Sequence, residues 1–294
     1  MTLSPDARAG HIAMLVFSML VAGSFALGSH VANLIDPAAI SAVRFTIAAS
    51  AIGALLWLRG GIPSSVWAAP WRYFVLGGLY AAYFVAMFEG LKTATPVSTA
   101  AVFTLTPILS AGFGWLMMRQ ITTPRVAIAL AVGASGALWV IFRADINALL
   151  AFDIGRGETI FFFGCIAHAA YTPAVRWLSR GEPLLPFTFA TLLAATAILM
   201  VAGAREVVAF DWASAPPILW ITLFYIAFGA TSFTVFLVQF AAMRLPAAKV
   251  MAYTYLVPSW VALWQIALGG AAPPIFVLVG VGLTVLALLL LLRS

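Results

Sequence analysis

Residues 97–118 read VSTAAVFTLTPILSAGFGWLMM, an uncharged stretch that is long enough to cross a bilayer as an α-helix. Pro107 lies near its middle, where a helix loses one backbone donor. A second stretch, residues 247–268, reads AAKVMAYTYLVPSWVALWQIAL and carries Pro258 near its middle. Pro258 follows Pro107 by roughly half the length of the chain. Because the same irregularity recurs at that distance, the pair indicates a membrane protein made of two related halves.

The composition supports a membrane protein. Of the 294 residues, 64% are hydrophobic and 8% are charged, and the mean hydropathy is +1.09. Soluble domains carry about 25% charged residues, so this chain has too few charges to coat a water-facing surface. Because backbone groups in hydrocarbon must bond within the chain, the sequence predicts an all-α integral membrane protein.

The net charge of +6 does not indicate a nucleic-acid partner. The basic residues stand singly at the ends of apolar runs, where they set membrane topology and contact anionic lipid. The expected partners are therefore the lipid bilayer and a small-molecule substrate.

Ten apolar stretches of roughly spanning length can be marked along the chain, joined by short connections. The longest connection, residues 144–157, separates five spans from five, and we predict two repeats, residues 1–147 and 148–294. Since five is odd, the second repeat enters the membrane inverted, an architecture of secondary transporters. The ten predicted spans are residues 11–33, 37–58, 70–91, 97–118, 124–143, 158–178, 184–204, 216–242, 247–268 and 273–292.

The distribution of lysine and arginine predicts the orientation. With the N terminus in the cytoplasm, ten of these residues fall in inner segments and four in outer loops. The bias favours a cytoplasmic N terminus. An even number of spans then places the C terminus in the cytoplasm as well.

Short motifs in both halves resemble a known family. Gly229-Ala230-Thr231-Ser232, Leu245-Pro246-Ala247-Ala248 and Leu256-Val257-Pro258 resemble the second repeat of the EamA-type drug/metabolite transporters, and Asp36-Pro37 with Arg44-Phe45 resembles the first. One departure is that the family's Gly-Glu pair, at the end of the fourth span of each repeat, is replaced by Met118-Arg119 and Gly269-Gly270. No role of that glutamate carries over to this chain.

Within that superfamily the chain is most similar to YddG-type aromatic amino-acid exporters of bacterial inner membranes. The resemblance implies export of aromatic amino acids and related small solutes by alternating access, without a cofactor. It also implies a midplane cavity walled by spans 1, 3, 4, 6, 8 and 9. A monomer is expected, although the sequence leaves the oligomeric state open.

Polar side chains inside the spans are the candidate substrate-binding residues, because such groups are expensive in hydrocarbon. Tyr80 and Tyr83 share one face of span three, where phenols can stack on and orient a flat solute. His168 lies near the middle of span six. Helix packing, or a neutral histidine bonded to a neighbouring helix, would explain the same residues.

Superposing the two halves adds further candidates. Tyr80 falls on Thr231 and Tyr83 on Thr234, so both threonines are expected to face the cavity, unless they bond to their own backbone. Phe103 and Tyr253, beside the matched prolines, complete the predicted substrate-binding set. Pro107 and Pro258 are predicted hinges, with static kinks as the alternative.

Two charged residues are assigned structural roles. Arg44 is the basic residue placed deepest within a span. It either extends its charged end toward the membrane surface or pairs with Glu89, which also has Lys92 three residues on. Glu89 as a coupling carboxylate is the alternative.

Missing motifs exclude other classes. The sequence has no phosphate-binding Walker loop, no nucleophile motif and no metal-ligand spacing among its three histidines. We therefore expect neither a cofactor nor a metal, and no enzyme activity. The rivals are a broad drug or cation effluxer, a metabolite exchanger, and, outside transport, an integral-membrane enzyme.

Overall fold

The computed structural model describes residues 5–142, 144–151 and 154–292, and these residues are helical apart from short connections. Two arginines that contribute to the predicted orientation, Arg143 and Arg293, lie outside the described residues. Residues 1–4 of the first predicted repeat and residues 152, 153 and 294 of the second also lie outside them. The helices are α1 Pro5–Val31, α2 Pro37–Leu58, α3 Trp71–Leu91, α4 Pro96–Phe103, α5 Thr106–Met118, α6 Pro124–Ile141, α7 Ile146–Ala151, α8 Arg156–Leu178, α9 Leu184–Ala209, α10 Pro217–Phe224, α11 Thr234–Ala242, α12 Ala247–Met251, α13 Val257–Ala267 and α14 Ile275–Leu292.

Within the described residues, seven helical stretches are long and apolar enough to cross a membrane on their own, which makes this a multi-pass membrane protein. Three predicted spans do not meet that measure. Helix α8 carries Arg156, Glu158 and Arg176, the stretch from α12 to α13 is interrupted, and the stretch Ile275–Leu291 of α14 is apolar but just below the required length. The seven stretches are Pro5–Val31, Pro37–Leu58, Trp71–Leu91, Pro96–Met118, Pro124–Ile141, Leu184–Ala209 and Pro217–Ala242.

Three helices of the first half begin in the same way. Asp36 accepts hydrogen bonds from the backbone N–H groups of Ala38 and Ala39 at the start of α2, and Pro37 follows it. Thr95 before α4 and Thr123 before α6 cap their helices likewise, each followed by proline. Such a residue satisfies free N–H groups, and proline fits the first turn because it needs no acceptor there.

Both predicted hinge prolines lie at helix interruptions. Helix α4 ends at Phe103, and Pro107 stands in the first turn of α5, so the Phe103 carbonyl accepts from the Thr106 hydroxyl at 2.6 Å. In the second half, the 3-10 turn Ala252–Leu256 precedes α13, whose first turn contains Pro258. The two interruptions meet where the Thr106 and Thr254 hydroxyls lie 3.2 Å apart. Whether the helices bend there during function stays a prediction.

A π-helical turn, Tyr225–Phe233, joins α10 to α11. The Thr231 and Ser232 hydroxyls each donate to the carbonyl five residues earlier, at 2.7 and 2.9 Å. Turns of this kind are rare and occur frequently at functional sites. The sequence predicts an ordinary helix over this part of span eight, and the structure differs from that prediction at the π-helical turn.

Close packing joins the first half of the chain to the second. Helix α3 packs along α8, α2 along α9, and α6 along α14. Where α3 meets α8, a Cβ on Gly90 would lie 2.8 Å from the Gly157 carbonyl oxygen, and a Cβ on Gly157 would lie even closer to that of Gly90. Glycine is therefore required on both sides of this contact, as is common between membrane helices.

A buried ion pair ties α3 to the loop between α8 and α9. Arg72 donates to the Glu182 carboxylate at 2.5 Å and to the Leu178 carbonyl at 2.6 Å. Burial alone would raise the pKa of Glu182, but hydrogen bonds from Arg72 and the Arg180 backbone outweigh it and lower that pKa below its usual value. The pair thus connects the two halves away from the middle of the bundle.

Replacing Glu182 by glutamine should lower the free energy of unfolding by about 3 kcal/mol, because Arg72 is left buried without its counterion. In the wild type the folded-state pKa of Glu182 is depressed. The stabilisation is therefore complete above the pKa of the unfolded carboxyl and is lost as the pH falls through the folded-state value. Unfolding of the purified protein in detergent across acidic pH measures both effects.

Glu206→Gln is the matched control, since the structure places no ion pair on Glu206 among the described residues. Equal stability of the two variants would contradict a stabilising role for the Arg72–Glu182 pair.

Candidate functional site

Aromatic side chains from three helices meet between the two halves of the chain. On α3 the i, i+3 spacing puts two tyrosines on one face, and on α8 the i, i+7, i+10 spacing does the same for three rings. Helix α4 ends with the sixth ring beside them. We call these residues the aromatic cluster: Tyr80, Tyr83, Phe103, Phe161, His168 and Tyr171.

The imidazole of His168 lies at the centre of the aromatic cluster. It stacks on Tyr83 with ring centroids 4.4 Å apart, and Tyr80 meets it edge-on at 5.5 Å. Phe103 lies 5.3 Å away, and Phe17 of α1 stacks on the imidazole at 6.3 Å. Because three helices of the first half surround one ring on α8 of the second half, any relative motion of the two halves must rearrange these contacts.

Several polar atoms of this region are buried without a hydrogen bond among the described residues. They are the hydroxyls of Tyr80, Tyr83 and Thr172 and both ring nitrogens of His168. An unsatisfied buried donor or acceptor costs about 1–3 kcal/mol, and most buried polar groups are paired. The Tyr171 hydroxyl, by contrast, accepts from the Gln239 side chain at 2.8 Å. The unpaired atoms are therefore available to a polar guest.

The aromatic cluster is closed off from its surroundings, since the exposed fractions of Tyr80, Tyr83 and His168 are 1%, 2% and 1%. A cavity of 540 Å³ lies beyond it, lined in part by Thr93, Arg156 and Gln265. At this cavity the Ser98 hydroxyl donates to the Glu158 carboxylate at 2.7 Å. Phe161 follows Glu158 by about one helical turn, so cavity and cluster are neighbours along α8.

Arg44 contacts the π-helical turn rather than the membrane surface. It is fully buried, and its Nε and Nη2 donate to the Thr231 hydroxyl at 2.9 and 2.6 Å. Nη2 also donates to the Ala230 carbonyl at 3.1 Å. Thr231, expected to face the substrate, is therefore engaged by Arg44 in this conformation.

The alternative that pairs Arg44 with Glu89 is wrong. Glu89 binds Lys92 at 2.6 Å, and Lys92 lies three residues on, at the end of α3, with both side chains partly exposed. The short helical spacing makes that contact easy to form. Arg44 instead directs its guanidinium toward Thr231. Extension of Arg44 toward the membrane surface is excluded as well, because the side chain is completely buried.

Tyr253 lies apart from the aromatic cluster. The Tyr253 hydroxyl lies 3.1 Å from Nδ1 of His11, near the beginning of α1. Among the described ring contacts, Tyr253 meets His11 and no member of the cluster. Thr234 is buried at the start of α11. Of the predicted substrate-binding residues, the structure therefore brings together Tyr80, Tyr83, Phe103 and His168.

The sequence did not single out Phe17, Tyr171 and Gln239. Gln239 donates to Tyr171 and Thr191 and accepts from Thr188, which links α8, α9 and α11. A glutamine within an apolar stretch was the signal for this network, because such a group needs partners. No cluster of three or more histidine, cysteine or acidic side chains able to hold a metal occurs in the described part of the chain.

The chain resembles known transporters. In Bacillus subtilis (strain 168) a protein named "Uncharacterized transporter YyaM" is 27% identical over 194 residues, which are 65% of this chain and 64% of that relative's length. A solved crystal structure aligns with 99% of this chain and 97% of its own chain, at a TM-score of 0.73 and 21% identity. The latter likeness concerns the fold.

A sequence model described as "EamA-like transporter family" matches twice, at residues 8–142 and 155–293. Together the two matches cover nearly the whole chain, on either side of the connection that contains α7. The family and the name of the relative favour a transporter over an enzyme. This chain belongs to the EamA-like transporter family.

Proposed function

We propose that this protein exports aromatic amino acids and related small solutes across a bacterial inner membrane by alternating access. In this proposal ten spans form two inverted five-helix repeats, residues 1–147 and 148–294, with both termini in the cytoplasm. The protein acts as a monomer and needs no cofactor.

The pattern of helix contacts supports two inverted repeats. In the predicted pairing, span three of the first half corresponds to span eight of the second, and span one corresponds to span six. Helix α3 of span three packs on α8 of span six, and the corresponding spans eight and one pack together through α10, α11 and α1. Span four, formed by α4 and α5, contacts α8. Correspondingly, span nine, formed by α12 and α13, contacts α1. The packing of α2 on α9 and of α6 on α14 joins helices that exchange under the same symmetry. A two-fold relation between the halves accounts for all of these contacts.

The closed aromatic cluster carries the proposal. It combines ring faces that stack on a flat apolar solute with unpaired hydroxyl and imidazole groups. Helices α3 and α4 of the first half and α8 of the second supply it, so it lies where two rocking halves would meet. This is the arrangement expected of an occluded site for an aromatic solute with polar substituents.

The interrupted helices supply a means of opening. Pro107 and Pro258 each end the continuous hydrogen-bond ladder near mid-span, and the interruptions touch through Thr106 and Thr254. Bending at these points would move α5 and α13 while the other halves of both spans stay packed. The 540 Å³ cavity beside Ser98 and Glu158 is then the exit path.

A drug or cation effluxer is less well supported. A cation site combines aromatic faces with a carboxylate. No acidic side chain forms an ion pair or hydrogen bond with a member of the aromatic cluster in the described part of the chain.

Counterflow in proteoliposomes tests the proposal directly. Vesicles loaded with unlabelled phenylalanine should accumulate labelled phenylalanine, tyrosine and tryptophan. Replacing Tyr80 or His168 by alanine should lower uptake by about tenfold or more, because each contributes ring stacking and a polar contact. Trp57→Ala, on a residue whose side chain is largely exposed on the outside of the bundle, is the control. Undiminished uptake in both site variants would show that Tyr80 and His168 do not bind the substrate. If the wild-type protein transports no amino acid but converts a lipid, the protein is an enzyme rather than a transporter.

Tyr80→Phe and Tyr171→Phe should have opposite effects on stability. The first removes an unpaired buried hydroxyl and should raise the free energy of unfolding by about 1 kcal/mol, while it slows amino-acid exchange. The second removes a hydroxyl bonded to Gln239 and should lower stability by about as much. Thermal unfolding in detergent compares the two, and a loss of stability in Tyr80→Phe would mean that this hydroxyl has a partner.

Export should be driven by the solute gradient alone. Glu89 is occupied by Lys92 near a helix end, and no carboxylate forms a described hydrogen bond with His168. The ratio of export rates into acidic and neutral external buffer should therefore be near one. A strong acceleration in one of the two buffers would instead indicate proton coupling.

A further inference from the structure

Arg44 places a full positive charge in the interior of the bundle. Its side chain has 0% exposure, and its guanidinium lies over the Phe84 ring with 4.0 Å to the centroid. Two of its nitrogens hold the π-helical turn through Thr231 and Ala230. The third, Nη1, is buried and has no hydrogen-bond partner among the described residues.

No described carboxylate neutralises this charge. The ion pairs of the described residues belong to Arg72, Lys92 and Arg244. Glu158 accepts from Ser98, and Asp36 caps α2. A charged group in hydrocarbon is retained only where something compensates it, and arginine at such a position marks a functional site by default. Hydroxyl and carbonyl dipoles satisfy part of the guanidinium, but they do not cancel a net charge.

Unpaired phenols surround the same place. Phe84, which carries the guanidinium on its face, also contacts Tyr83 and Tyr80, with ring centroids at 4.7 and 5.5 Å. The buried region therefore contains one free cationic donor and two free hydroxyl donors, next to the ring faces of the aromatic cluster. A carboxylate, with two oxygens and about four acceptor positions, matches this set of donors.

We infer that Arg44 anchors the carboxylate of the transported solute, so that the site selects carboxylate-bearing aromatic compounds. The solute's ring would occupy the aromatic cluster, and its carboxylate would accept from Nη1 of Arg44 and from the Tyr83 hydroxyl. This inference rests on the proposed function and adds the charge of the substrate to it. The planar fork of arginine allows Arg44 to hold Thr231 with one edge and a carboxylate with another.

The contact also gives binding a route to the moving parts. Arg44 stands on α2 of the first half and holds the π-helical turn of the second half through Thr231. Because one guanidinium holds both groups, an anion at Nη1 changes how firmly Arg44 holds that turn. Binding of the carboxylate and rearrangement of the second half are thereby coupled.

The first test uses the wild-type protein and compares four ligands of similar shape. Phenylalanine and phenylpropionate carry the carboxylate, whereas phenylalaninamide and phenethylamine lack it. The two acids should stabilise the purified protein against thermal unfolding with apparent Kd values about tenfold or more below those of the other two, as expected for a charge-assisted hydrogen bond. Equal affinities for acids and amide would overturn the inference.

The second test uses variants in the same assay and in counterflow. Arg44→Gln should abolish the preference for acids over the amide, and Arg44→Lys, which keeps the charge, should retain part of it. The double variant Arg72→Gln/Glu182→Gln removes another buried arginine with its partner and should keep the full preference. A preference that survives in Arg44→Gln contradicts the inference. If this variant fails to fold, the wild-type ligand series decides.

The two proposals fail in different ways. Transport of phenylalaninamide at the rate of phenylalanine would leave an exporter whose Arg44 has no role in selection. A wild-type protein that transports none of the four compounds would contradict the proposed function, while the thermal measurements would still decide whether Arg44 binds carboxylates.

Discussion

Every backbone N–H and C=O in the interior of this bundle must find its partner within the protein, because hydrocarbon offers none. A continuous helix meets this requirement by itself. In the part of the chain that the structure describes, the spans depart from continuous helix at three places inside the bundle, and at each place a side-chain hydroxyl forms a compensating hydrogen bond. Thr106 supplies the donor that Pro107 removes, Thr254 donates to the Met251 carbonyl within the second interruption, and Thr231 bonds within the π-helical turn.

Arg44 extends this compensation across the two halves. Its hydrogen bonds to Thr231 and to the Ala230 carbonyl join α2 to an irregular segment that ordinary helix bonds would not hold. The residues that resemble family motifs in each half, Arg44 and the run Gly229–Ser232, thus contact one another in space. The two family motifs, one in each half, therefore form a single contact. Neither motif predicts that contact by itself, because each supplies only one of the two partners.

Most of the helix positions were predictable because span length, proline and capping residues act locally. The convergence of Tyr80, Tyr83, Phe103 and His168 was also predictable, since costly groups at mid-span have few places to go. The position of Tyr253 beside His11 was not, because the 3-10 turn rotates that part of span nine. The partners of Arg44 were not predictable either. An opposite charge is the partner that sequence suggests, whereas the structure pairs Arg44 with a hydroxyl and a backbone carbonyl of the π-helical turn.

The polar groups that stabilise the fold and the polar groups that are free to bind a solute lie in different parts of the molecule. Gln239 with Tyr171, Thr188 and Thr191, and Arg72 with Glu182, form satisfied networks that link helices. The polar atoms of Tyr80, Tyr83 and His168 are left unpaired in the same interior. Each unpaired group destabilises the closed state, and a solute that pairs with it recovers that free energy. The fold can tolerate this arrangement because the satisfied networks hold the helices in place while the centre stays available.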